Sequence, residues 1–398
     1  MLSWRSVSRI FPGSHAYLRR SGSMKIVEIQ WRNYRLPLLN GFTTAHGVIT
    51  TREGIIVQVT TERGISGIGE IAPLPAFAGG SLAGASSLLP ALVTRLQHKT
   101  LDEALDMVLA GGETGRNAAS ASALCGLEIA LLDAIGKAEG CGVCTLLSPV
   151  GIAPRATVPV NAIIGARATE AAIAVARDAK KNGFRCVKLK VGWEVSVRAE
   201  IERVAAVRDA IGPAMHLRLD ANEAWNLEQA IAILSQCVPY NIQYVEQPLK
   251  AHDLTGMRAL RQAVSIPIAV DEALHSPESA QLILDNEAAD VLVIKPQLAG
   301  GLRAGQQIIQ TAAERGVYSV ITSTIEAGIG LVAALHLAAA SPAVTLECGL
   351  ATLDLLIDDL VINNLPVRNG LLAVPADAGL GVALDREALD RYSIRGTD

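Results

Sequence analysis

Val187-Lys188-Leu189-Lys190-Val191-Gly192 reads as a β-strand: a short apolar run with β-branched residues, closed by glycine. Successive side chains on a strand point to opposite faces, so Lys188 and Lys190 share one face while Leu189 and Val191 take the other. Two adjacent ammonium groups each disfavour the other's charge, so at least one of the two pKa values is expected to fall. A solvated edge strand would carry the same pair of lysines. What lies on either side of the stretch decides between a buried and an exposed strand.

From residue 154 onward, apolar strands alternate with amphipathic helices. Strands are expected at 158–163, 186–191, 215–220, 242–246, 267–271, 291–295, 317–322 and 344–347. Helices are expected at 169–182, 195–211, 227–237, 254–264, 277–286, 302–315 and 330–340. Near-continuous apolar strands separated by helices mean parallel strands covered on the outside. Eight such repeats over about 200 residues predict an α/β fold, a closed TIM-like (β/α)₇β barrel over residues 151–362; an open doubly wound sheet is the alternative.

The chain before the barrel reads differently. Residues 26–69 are strand-like, with a hairpin turn at Glu62-Arg63-Gly64, and helical periodicity follows at 81–97, 101–109 and 118–139. Residues 24–150 therefore form a small α+β unit. A last short helix is expected at 353–360, and the tail from residue 363 to 398, with strand and turn character near 370–375 and 379–382, is expected to rejoin that unit as one capping domain. Residues 1–23 are basic and contain no acid, as in a transit peptide. The simpler expectation is an upstream start, with the working protein beginning at Met24 and the extension poorly ordered.

Composition narrows the function classes. A formal charge of −4 over 398 residues argues against a nucleic-acid or membrane-surface partner. The longest apolar run, residues 327–340, contains His336 and is shorter than the roughly 18–20 residues that span a bilayer. Of six cysteines only Cys141 and Cys144 have a suggestive spacing, and without a second pair they are expected to be structural. A reduced, cytoplasmic protein follows as the expectation; the oligomeric state stays open, a homo-oligomer included.

Charged residues end consecutive barrel strands: Lys190, Asp220, Glu246, Asp271 and Lys295, at intervals of 30, 26, 25 and 24 residues, which is the repeat itself. Barrel enzymes build their active sites at the C-terminal strand ends, so three carboxylates and two lysines are expected to meet in one mouth. Converging carboxylates repel unless a cation joins them. Oxygen-only donors favour a hard ion such as Mg²⁺, which keeps positions open for water or substrate, and Mn²⁺ suits the same donors.

The Lys188-Leu189-Lys190 strand, Asp220-Ala221-Asn222, Glu246-Gln247-Pro248, Val270-Asp271-Glu272 and Lys295 resemble the enolase superfamily, and the flanking lysines resemble its muconate-lactonizing-enzyme-like group. The resemblance covers essentially everything after Met24. It implies a capping domain built from both termini over a (β/α)₇β barrel. It implies that Asp220, Glu246 and Asp271 bind Mg²⁺, that Lys190 and Lys295 face each other across a small carboxylate substrate, and that Lys188 adds positive charge. The chemistry implied is removal of a proton next to a carboxylate, through an enediolate.

Within that group, Thr44-Ala45-His46-Gly47, the loop from Gly69 to Phe77, Thr322-Ser323-Thr324-Ile325-Glu326 and the segment from Gly349 to Leu356 resemble the o-succinylbenzoate synthases. That likeness implies that Ser323, Thr324 and the Gly349 backbone hold the substrate carboxylate, with Arg218 nearby. Dipeptide epimerases of the group typically carry an Asp-x-Asp pair after the eighth strand, and Glu347-Cys348-Gly349 lacks it. N-succinylamino acid racemase chemistry would suit the same two lysines. From other classes, a Schiff-base aldolase would use Lys295 or Lys190 and leave the carboxylates without a task, and a non-catalytic scaffold would need none of the five strand-end charges.

Overall fold

The structure is a computed structural model that describes residues 24–44, 47–77, 79–111, 118–194 and 196–394. Residues 1–23, Ala45 and His46 lie outside the described residues, so the expectations for the basic extension and for the Thr44–Gly47 stretch rest on sequence.

A three-stranded antiparallel sheet opens the chain: β1 (Ile26–Thr44), β2 (Gly47–Thr61) and β3 (Ser66–Ile71). Four helices follow, α1 (Leu82–Leu96), α2 (Leu101–Leu109), α3 (Ala118–Glu139) and α4 (Val143–Leu147). α3 lies flat on β3 because Gly67 and Gly69 offer no Cβ; one added there would collide with the carbonyls of Ala130 and Gly126. α2 starts at a reciprocal capping box between Thr100 and Glu103.

The barrel strands are β5 (Ala162–Ile164), β6 (Cys186–Lys190), β7 (His216–Asp220), β8 (Ile242–Glu246), β9 (Ile268–Val270), β10 (Val291–Ile294) and β11 (Tyr318–Ile321), all parallel and in sequential order. Helices α5 (Thr169–Lys181), α6 (Val197–Ile211), α7 (Leu227–Cys237), α8 (Leu254–Ala263), α9 (Pro277–Asp285), α10 (Pro296–Ala299), α11 (Leu302–Glu314) and α12 (Gly328–Ala340) connect or cover them. The architecture is the mixed α/β barrel with a cap that the strand–helix alternation predicts. α12 is buried on every side, including His336, and so is apolar all round instead of striped.

Three details differ from the sequence expectation. Residues 344–347 are not a strand; the barrel closes two residues later, where Cys348 bridges Val160 and Gly349 bridges Thr322. The expected first strand splits, its front half forming β4 (Thr157–Pro159), which pairs antiparallel with β12 (Leu371–Ala373) of the tail. The helix expected at 353–360 is one 3₁₀ turn, Leu353–Leu355. Asp358 and Asp359 accept from the backbone N–H groups of Asp359 and Leu360, which diverts the chain from a helical ladder. The rest of the tail returns to the first unit: α13 (Arg386–Tyr392) lies against β1 and Asp133 of α3 accepts from Leu380 N at 2.7 Å.

Candidate active site

β6 is buried along its whole length, so the Lys188 and Lys190 side chains point into the barrel, not into solvent. In register, Lys190 stands opposite Asp220, and Asp220 opposite Glu246. Asp271 follows the end of β9 and Lys295 the end of β10. Parallel pairing thus carries the five strand-end charges to one mouth, as their period in the sequence predicts.

Ion pairs knit them together. Lys190 Nζ lies 2.7 Å from Asp220 Oδ2, and Lys188 Nζ lies 2.8 Å from Glu246 Oε1 and 3.1 Å from Asp220 Oδ2. Lys295 pairs with Asp271. Asn222, in the left-handed conformation at φ 43°, accepts from Lys190 Nζ at 2.6 Å and donates to Glu272 at 2.8 Å. Lys188, Lys190, Asp220, Asp271, Lys295, Ser323 and Thr324 all face one cavity of about 40 Å³. That is near one water's share of liquid volume, roughly 30 Å³. Leu74 and Phe77 of the cap close it, with Lys295 Nζ 4.8 Å from the centre of the Phe77 ring. A larger groove, about 480 Å³, lies on the rim around Trp225, Lys250 and His252. It holds none of the convergent strand-end charges, so the small cavity is the better candidate.

The electrostatics follow from burial and mutual repulsion. Burial alone would raise the Asp220 carboxyl, but Lys190 and Lys188 together pull it below the usual carboxylate range. Glu246 is pushed up to about 7 by burial and by the neighbouring Asp220 and Asp271, against the pull of Lys188. Glu272 rises to about 8 through burial and the Asp271 charge. Lys188 itself is raised: burial pushes it down, and Glu246 and Asp220 outweigh that. The expectation that like-charge repulsion lowers a lysine therefore fails at Lys188, because the Glu246 and Asp220 carboxylates lie 2.8 and 3.1 Å from its ammonium. A raised Lys188 favours an ionic pair and a raised Glu246 opposes one; with Nζ against two carboxylates, we take the ionic form.

Asp220, Glu246 and Asp271 offer only oxygen donors, and Glu246 Oε2 is buried without a hydrogen-bond partner. This donor set fits a hard divalent cation. Among the described residues no three of these side chains gather into a ready-made metal cluster; the lysines hold the oxygens that such an ion would share.

Two expected substrate contacts sit elsewhere. Arg218 is one layer below Asp220 and fully buried, bonded to Gln243, Asn161 and Glu347 and stacked 4.7 Å over Tyr244. Its inward position follows from the same alternation that aims Asp220, and its donors are spent inside the barrel. The Gly349 backbone closes the barrel, donating to Ile321 and accepting from Ser323 N and Thr322 Oγ1. Phe77 lies in the loop whose likeness implies a capping role, and residues without an expected role are Asn222, Glu272 and Thr352, whose hydroxyl reaches Ser323 Oγ at 2.9 Å. Cys141 and Cys144 are free thiols pushed up by burial, the direction that suits structural cysteines. Among the described residues no helix is long and apolar enough to cross a membrane.

Fold and site together define a capped α/β-barrel enzyme whose strand ends carry carboxylates between lysines. Residues 25–148 match the mandelate racemase / muconate lactonizing enzyme N-terminal domain, and residues 170–388 match the enolase C-terminal domain-like family. The chain belongs to this family, within the enolase superfamily and its muconate-lactonizing-enzyme-like group. It is 30% identical over 371 residues to the L-Ala-D/L-Glu epimerase of Bacillus subtilis, covering 90% of this chain and 97% of that one. It is 39% identical over 221 residues to the o-succinylbenzoate synthase of Thermobifida fusca, covering 55% and 67%. The solved dipeptide epimerase of Enterococcus faecalis, complexed with Mg and L-Leu-L-Tyr, superposes with a TM-score of 0.82 at 28% identity, covering 90% of this chain and all of that one.

Proposed function

We propose that this enzyme is a Mg²⁺-dependent lyase of the o-succinylbenzoate synthase type. It would dehydrate 2-succinyl-6-hydroxy-2,4-cyclohexadiene-1-carboxylate to 2-succinylbenzoate, a step of menaquinone biosynthesis. Asp220, Glu246 and Asp271 would hold the ion, which supplies positive charge against the enediolate. Lys190 takes the proton next to the carboxylate and, as its conjugate acid, returns it to the departing hydroxide. Asn222 and Asp220 aim the Lys190 ammonium. Lys295, on the other side, steadies the anion. Lys188 bridges Asp220 and Glu246 and offsets their mutual repulsion. Thr324, whose buried hydroxyl has no hydrogen-bond partner, would bind the substrate's polar periphery, with Ser323 holding the turn beneath it, while Leu74 and Phe77 exclude water.

One observation carries the choice of a lyase over a dipeptide epimerase. The cavity lining presents lysines, hydroxyls and apolar groups, and its only carboxylates are Asp220 and Asp271, both engaged by lysine. Glu347, where the epimerase pattern begins, turns away to Arg218. Among the described residues of the lining, no carboxylate is left to receive a substrate ammonium. The second reading, racemisation or epimerisation, draws on the two opposed lysines and on the full-length similarity to the Bacillus epimerase. An assay of the cyclohexadiene substrate beside N-succinylamino acids and dipeptides, with Mg²⁺ and with chelator, tests it. Dehydration in Mg²⁺ that outpaces every racemisation supports the lyase; turnover of dipeptides alone refutes it.

A further inference from the structure

The turn after β11 is strained. Ile325, a β-branched residue lining the cavity, stands at φ 62°, in the left-handed region that such side chains avoid. Conformations of this kind cost about 1–3 kcal/mol and persist only where the surroundings over-determine them. Inside the turn, Ser323 Oγ accepts from Ile325 N at 2.7 Å and donates to Glu326 at 2.6 Å. Gly349, Thr352 and Asp359 hold it from the barrel and tail, and further restraints come from the cap.

Glu70, at the end of β3, is fully buried. Its Oε1 accepts from Ala327 N at 2.8 Å and from the Tyr34 hydroxyl, and its Oε2 accepts from Gly330 N at 2.8 Å. It therefore terminates α12 across the domain boundary, where the helix dipole also favours an anion. Gly330 permits this approach: a Cβ there would sit 3.2 Å from Glu70 Oε2 and 2.6 Å from the Glu326 side chain. Arg52 of β2, also buried, donates to the Thr324 carbonyl at 3.2 Å and to the carbonyls of Ala72 and Pro73. Gln297, two residues past Lys295, bonds the backbone of Glu70 and Ala72 from the barrel side. One short stretch of cap thus touches both the Ser323 turn and the segment that follows Lys295.

We propose that Glu70 and Arg52 are positioning residues that hold the strained Ser323–Ala327 turn, so that the Thr324 hydroxyl, buried without a partner, faces the substrate only when the cap strand is seated. The inference rests on the mouth being the substrate site, and it assigns the two cap residues to substrate binding through the turn, not to proton transfer. Glu70→Gln keeps size and one acceptor while losing one latch. Arg52→Lys weakens the other latch from a different strand, which keeps the test valid if the first variant folds poorly.

Two measurements decide it. Amide hydrogen exchange across 322–330 is expected to speed up at least about tenfold in either variant while the remaining barrel amides keep their rates, the effect of one lost bond to a charged group. KM for the substrate that turns over is expected to rise about tenfold with kcat within about twofold. Adding Ser323→Ala should remove most of that KM effect, because the latch acts through the turn. Unchanged exchange at 322–330, exchange rising uniformly across the barrel, or a fall in kcat at constant KM overturns the proposal. If no substrate of the panel turns over, the lyase reading fails on its own, and the exchange pattern still supports or refutes the latch.

Discussion

Lowering the pH should loosen the joint between cap, barrel and tail through His336. This residue sits in α12 with no solvent exposure. Its Nδ1 accepts from Cys144 N at 3.1 Å, so Nε2 carries the proton and donates to the Leu380 carbonyl at 3.0 Å. Burial drives its pKa down from 6.5 to about 4, with the Leu380 contact pulling weakly the other way. Between those values the unfolded chain binds a proton that the folded chain refuses, so stability falls as the pH drops below 6.5. Linkage puts the loss at about 2 kcal/mol between pH 8 and pH 5 and about 3 kcal/mol by pH 4. Glu70, raised to about 7 mainly by burial, works in the opposite direction, since its protonated form favours the fold as pH falls. A difference measurement cancels it. His336→Gln keeps a donor and an acceptor but does not titrate. Urea unfolding of both proteins at pH 8 and pH 5, with equal slopes, should show the wild type losing about 2 kcal/mol more than the variant. If the gap between the two proteins is the same at both pH values, the neutral-histidine account is wrong.

Four further outcomes are expected. Asp220→Asn, Glu246→Gln and Asp271→Asn should each abolish turnover while circular dichroism stays native; near-normal activity of any of them in chelator would remove the metal assignment. Lys190→Ala should stop both dehydration and exchange of the substrate α-proton with deuterated solvent, a loss of about 10²-fold or more for a missing general base. Lys295→Arg, which keeps the charge but cannot act as a base, should retain measurable dehydration and lose all racemisation; a Lys190→Arg variant that dehydrates beside a dead Lys295→Arg would make Lys295 the base. Gly301→Ala should lower stability by about 2–4 kcal/mol, because Gly301 stands at φ 134° and a Cβ would strike Glu128, whose carboxylate caps α11 through Leu302 and Arg303 N–H; an unchanged melting temperature would contradict that packing.

The parts of this site that are legible in the sequence are those set by a local period. Lys190, Asp220, Glu246, Asp271 and Lys295 each end one strand, and parallel pairing at equal repeat length brings them level. Arg218 shows the limit of the same reasoning. Alternation correctly turns it inward, but only the partners above and below decide whether an inward charge meets substrate or another side chain, and Glu347 sits 3.0 Å away. The cap contacts are invisible for a different reason. Phe77 meets Lys295, and Glu70 meets Ala327 and Gly330, across more than 200 residues of chain; no periodicity couples such positions. The one hint is the Pro73-Leu74-Pro75 loop, which carries large apolar residues where a plain solvent loop would not. The barrel closure lies just beyond the expected strand because the two isolated bridges at Cys348 and Gly349 need no apolar run.

Relatives that dehydrate and relatives that epimerise resemble this chain to a similar degree, which the site explains. Lysines flanking carboxylates serve any proton removal next to a carboxylate, so this machinery does not distinguish the products. Discrimination has to come from groups that touch the substrate away from the reacting carbon. A dipeptide brings an ammonium, and an ammonium buried without a partner costs several kcal/mol. The described mouth offers it no free carboxylate, only hydroxyls and apolar side chains such as Leu74 and Phe77 beside three lysines of the same sign. Leu74 and Phe77 line this cavity, so an apolar, anionic ring system would meet them and the lysines without burying an unpaired cation, and a zwitterion would not.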